Sequence, residues 1–137
     1  MGRVRALRGT ERRPSLSLEL AIVAAGAAAA KTLDGTVVLD VGEHIAITDY
    51  FVITSGRNDR QVRAILDEVG AAVRAAGGPP PRQVEGLSDL RWVLIDFGSF
   101  VVHVFHAEAR DFYGLERLWA DAPRVELEPA LAGPSSR

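Results

Sequence analysis

Residues 92–105 read Trp92-Val93-Leu94-Ile95-Asp96-Phe97-Gly98-Ser99-Phe100-Val101-Val102-His103-Val104-Phe105. Two runs rich in β-branched and aromatic residues flank Gly98-Ser99, and a two-residue connection opening on glycine suits a type II′ hairpin. Such a turn sets the register, so Trp92 opposes Phe105 and each following residue opposes the one before. One face then carries Val93, Ile95, Phe97, Phe100, Val102 and Val104, which is wholly apolar and must be core. The other carries Trp92, Leu94, Asp96, Val101, His103 and Phe105. That mixture suits neither a dry interior nor open water.

Working outward, Gly77-Gly78-Pro79-Pro80-Pro81 closes the preceding helix, and Arg82–Glu85 is read as an added edge strand. The helix itself opens at Asn58, whose side chain can accept from the Gln61 N–H while Gln61 reaches back. Val62, Ile65, Leu66, Val69 and Val73 form its single apolar face. Before it, Thr36–Val41 and Tyr50–Ser55 are strands, the second too apolar to face water on either side. Leu20–Ala30 imitates a signal peptide but is too short to span a bilayer. With Ser17 as cap it is read as a first helix burying Leu18, Ile22, Ala25 and Ala29, in a cytosolic protein. Beyond the hairpin, Glu108–Trp119 is a helix or a broken pair ended by Pro123.

The order α-β-β-α-(β)-β-β-α predicts one α/β (α+β) domain over residues 17–123, a small mixed sheet of about five strands with flanking helices. Residues 1–16 are expected to be a basic, disordered arm and 124–137 a mobile tail. The chain has 137 residues, 47% apolar and 25% charged, the balance of a globular protein. No cysteine is present, which excludes disulfides, thiolate zinc and a cysteine nucleophile. The net charge is −2, and Arg3, Arg5, Arg8, Arg12 and Arg13 sit against Glu11 in the first thirteen residues. The remainder is therefore acidic, with no overall signature of nucleic-acid binding.

Catalytic motifs are missing. There is no G-x-x-x-x-G-K-[ST], no G-x-G-x-x-G and no G-x-S-x-G. Ser55-Gly56-Arg57 could turn backbone N–H groups toward an anion, but reads as an ordinary strand-to-helix turn. Asp40 and Asp49 could meet as a metal-binding pair, although no D-x-D occurs, so a metal-dependent nucleotidyltransferase is the alternative from another class. His103 and Asp96 share a hairpin face without a serine between them. His44 and His106 have no partner pattern, and neither cofactor nor metal is expected. Trp92 beside Asp96 and His103 fits an interface centre, where aromatics and a few charges dominate binding. A covering helix over 108–119 would explain the same residues equally well.

Val38–Val41, Ile47–Gly56, Arg60–Ile65, Arg82–Gly86, Arg91–Gly98, Val101–Phe105 and Arg110–Trp119 together resemble, in order, the ribosomal silencing factor (RsfS, or Iojap) family. The resemblance runs from about Ser17 to Pro123. It implies a cytoplasmic, non-catalytic factor with a nucleotidyltransferase-like fold. It also implies binding to the large ribosomal subunit through ribosomal protein L-fourteen, blockage of small-subunit joining when nutrients are limiting, and a homodimer in the free form. A role in large-subunit assembly would use the same surface. On this resemblance Trp92, Asp96, His103, Phe112 and Tyr113 are expected at the partner surface, with Arg110, Asp111, Glu116 and Trp119 as possible further interface. Neither membrane contact nor sequence-specific nucleic-acid binding is implied. Ser99 and Ala30 stand where the family usually has acidic residues.

Overall fold

A computed structural model of the chain describes residues 16–127; the basic arm ahead of Leu16 and residues 128–137 lie outside it. The hairpin closes as expected. Gly98 takes φ +92°, where a side chain would be strained, and the Phe97 N–H donates to the Phe100 carbonyl at 3.0 Å. Trp92 then opposes Phe105 and Asp96 opposes Val101. The elements are α1 (Leu16–Ala29), β1 (Val37–Asp40), β2 (Tyr50–Gly56), α2 (Asp59–Ala75), β3 (Gln83–Glu85), β4 (Trp92–Asp96), β5 (Phe100–His106), α3 (Ala107–Tyr113) and α4 (Leu115–Leu118).

The five strands form one sheet in the order β1-β2-β5-β4-β3. Every neighbouring pair is antiparallel except β2 and β5, which run parallel at the centre. Helices α1 and α2 cover one face of this mixed α+β sheet. Under them lie Val52 of β2, Val102 and Val104 of β5, and Val93 and Ile95 of β4, all buried.

Helix α2 follows its sequence pattern closely. Val62, Ile65, Val69 and Val73 are buried, each worth roughly 1.5–3 kcal/mol of transfer free energy. Asn58 Oδ1 accepts from the Gln61 N–H at 2.9 Å, but Gln61 reaches back one residue further than expected, to the Arg57 N–H at 2.7 Å.

Helix α1 departs from expectation. It begins at Leu16, so Ser17 lies inside its first turn, and the buried stripe is Leu20, Ala21, Ala24, Ala25 and Ala28. The expected stripe of Leu18, Ile22, Ala25 and Ala29 is rotated away, apart from Ala25. A helix apolar on every side carries no periodic signal, so its orientation was set by fit. The small alanines let it lie close against both α2 and the sheet.

The chain after Pro123 is also corrected. The Asp40 N–H donates to the Pro123 carbonyl and the Val125 N–H to the Val38 carbonyl, both at 2.8 Å. Val125 and Leu127 pack against the helix-covered core. Residues 123–127 thus satisfy the outer edge of β1 rather than starting a mobile tail, because unpaired edge groups favour a partner.

Candidate docking face

The second sheet face is covered over half its width. Leu39 of β1, Phe51 and Ile53 of β2, and Phe105 of β5 are buried there with Val41, Ala109, Leu115 and Ala122, and His103 of β5 is buried beside Phe51. The covering element breaks where Gly114 takes the left-handed conformation, ending α3 and starting α4. Trp119 follows α4 and sets its ring edge-on to Phe51, centroids 5.4 Å apart, with His44 against it at 5.8 Å.

Past that cover the face opens. Trp92, Leu94, Asp96 and Val101 are each half-buried. Gln83 opposes Asp96, and Glu85 opposes Leu94, so both exposed β3 side chains project on this same face. The reading of the sequence left Glu85 out, because a three-residue strand has no period from which to assign a face. Phe112 and Tyr113 form the rim. Phe112 is 77% exposed, the open end of an aromatic series. It lies edge-on to Tyr113 at 5.1 Å, and Tyr113 lies 4.9 Å from Trp92. The result is an apolar and aromatic strip flanked by Asp96 and Glu85.

The nine expected site residues therefore separate. Trp92, Asp96, Phe112 and Tyr113 reach this open region. Asp96 also binds its own turn, Oδ1 accepting from the Gly98 N–H at 2.8 Å. His103 lies beneath the face, 4% exposed. Its Nδ1 accepts from the Trp92 indole N–H at 3.1 Å, while Asp96 opposes Val101 instead. Burial lowers the His103 pKa to about 4, so the ring is neutral at ordinary pH.

Arg110 and Glu116 belong to the cover. Arg110 Nε meets Glu116 Oε1 at 3.0 Å, and its Nη1 donates to the Gly35 carbonyl at 2.7 Å and to Ser55 Oγ at 3.0 Å. Trp119, as part of the cover, packs against Phe51. Asp111 is exposed on α3 and lends its backbone carbonyl to Arg117. The Ser55-Gly56-Arg57 turn uses its groups internally, since the Arg57 guanidinium meets Asp34 at 3.0 Å and Ser55 Oγ donates to that carboxylate at 2.8 Å. Asp40 caps its own turn at the Gly42 N–H. Among the described residues no group of three His, Asp or Glu is gathered to hold a metal ion, and no helix is long and apolar enough to cross a membrane.

Fold and face together define a small α+β domain with one helix-covered sheet face and one partly open aromatic face. The model of the family described as "ribosomal silencing factor during starvation" matches residues 14–137. A protein of Halalkalibacterium halodurans named ribosomal silencing factor RsfS is 41% identical over 114 residues, covering 83% of this chain and 97% of that one. A mouse protein named mitochondrial assembly of ribosomal large subunit protein 1 is 34% identical over 84 residues, covering 60% of this chain and 37% of the mouse protein. A crystal structure from Bacillus halodurans superposes with TM-score 0.68 at 38% identity, covering 80% of this chain and 99% of that one. The chain belongs to the ribosomal silencing factor family, RsfS.

Proposed function

We propose that this protein represses translation sterically. It docks on the large ribosomal subunit through ribosomal protein L-fourteen and occupies surface that the small subunit needs, when nutrients are limiting. The observation that carries this reading is the open half-face of Trp92, Leu94, Asp96 and Val101 in a chain of the silencing-factor family. Such a strip offers apolar anchors at its centre and acidic groups at its margin, which suits a basic ribosomal protein. The acidic balance of the chain beyond its first thirteen residues favours a steered encounter. No covalent step is needed: a folded domain in the way is the whole mechanism. It acts in the cytoplasm, and the free form pairs with a second copy.

Co-sedimentation with separated ribosomal subunits tests this. The wild type is expected to travel with the large subunit alone. Leu94→Arg, a half-exposed position outside both buried clusters, places a cation against a basic partner and should weaken binding by roughly 2 kcal/mol or more with the fold intact. Trp92→Ala should weaken it too, with some loss of stability, because Trp92 also packs against the second cluster. Comigration with neither subunit would end the proposal. The name of the mouse relative favours a second reading, large-subunit assembly. Accumulation of incomplete large subunits on depletion, with mature ones unbound by the protein, would favour that reading instead.

A further inference from the structure

His103 is a polar side chain set among aromatics. It opposes Ile53 on β2 and Leu94 on β4, and its ring meets Phe51 edge-on at 4.6 Å. Its Nδ1 accepts from Trp92, which places the proton of the neutral ring on Nε2. That Nε2 is buried with no hydrogen-bond partner. A buried donor without a partner costs free energy that a phenylalanine at the same position would not. The histidine returns one thing for that cost, an acceptor for the Trp92 indole.

Trp92 needs one. Its ring lies 5.0 Å from Phe105 and 4.9 Å from Tyr113, contacts that a turned-over indole could also make. The torsion about the bond to an aromatic ring is broad and roughly two-fold, so stacking alone leaves two orientations. A directional bond from Nε1 to Nδ1 selects one. We propose that His103 is a positioning residue of the docking face, acting on the partner only through the orientation it imposes on Trp92. The inference rests on the docking reading above and changes its content. His103 itself makes no contact with the partner, and the presented face is pre-organised before the encounter.

The test compares His103→Phe, which keeps a ring and removes the acceptor, with His103→Asn, whose Oδ1 can stand near the position of Nδ1. The readouts are the Trp92 indole N–H resonance in the free protein and affinity for purified large subunits. Two tryptophans are present, so Trp119→Phe assigns the signal. In His103→Phe the indole signal should shift and exchange faster with solvent, and affinity should fall about fivefold, the worth of one net hydrogen bond. In His103→Asn both should return to within about twofold of wild type. Wild-type affinity in His103→Phe despite a moved indole signal overturns the proposal, as does an asparagine variant that restores the signal but not the affinity. If His103→Phe does not fold, His103→Leu replaces it. If the wild type itself does not bind large subunits, the docking reading falls, and an unmoved indole signal in the variant overturns the positioning role separately.

Discussion

A guanidinium at position 110 joins segments that are remote along the chain. Arg110 on α3 holds Gly35 before β1, Ser55 at the end of β2 and Glu116 on α4, and Arg124 reaches the same Glu116 at 3.7 Å. None of this was legible in the sequence, where Arg110 and Glu116 stood as possible contact residues. Ion pairs obey no short period, and the partners of Arg110 lie on three different segments. His103 was legible as a residue of a mixed face that suits neither a dry interior nor open water, though not as a buried one. Its titration has a consequence. In the unfolded chain it titrates near 6.5, whereas the folded protein keeps it neutral down to about 4 because burial penalises the charged ring. Below pH 6.5 the unfolded state gains a proton that the folded state does not, so stability falls as pH drops toward 4 and is unaffected by this group above 6.5. Denaturant unfolding should show roughly 2 kcal/mol lost between pH 7 and pH 5 from this group. The same comparison on His103→Asn should be flatter by that amount, and equal slopes would assign the acid sensitivity to other groups.

Among the elements, legibility followed the strength of the period. The β4–β5 hairpin and α2 were readable because a turn and a stripe each specify one register. The facing of α1 was not, since an alanine-rich helix looks alike from every side. Nor did residues 108–119 disclose where they would land. The break at Gly114 decides it, by setting Leu115 in one cluster with Leu39 and Phe51 and leaving Leu94 outside. Gly114 has φ +61°, and a side chain there would also press on the Arg117 guanidinium, which is flexible enough to move. Gly114→Ala should therefore cost about 1–2 kcal/mol in thermal or denaturant unfolding, chiefly from backbone strain. Wild-type stability would mean that the left-handed cap is dispensable to the cover.

Across the whole sheet, among the described residues, one lateral edge is sealed and the other is not. Residues 123–127 close β1, while β3 is left exposed, short and charged at Glu85, a form that discourages pairing with other chains. A chain ending at Ala122 should lose about 2–3 kcal/mol from two backbone hydrogen bonds and the packing of Val125 and Leu127. It should also elute as larger species in size exclusion, through the uncovered β1 edge. A monodisperse truncation of unchanged stability would show that the strap is ornamental. The middle of the sheet has its own consequence for biosynthesis. Each pair in the parallel β2–β5 ladder joins residues fifty apart, from Tyr50 with Phe100 to Gly56 with His106. Translation delivers β1, β2 and α2 well before β5, so the nascent chain leaves the ribosome with Phe51, Val52 and Ile53 on a strand that has a neighbour on only one side. The β3–β4–β5 meander must arrive and slot in against it.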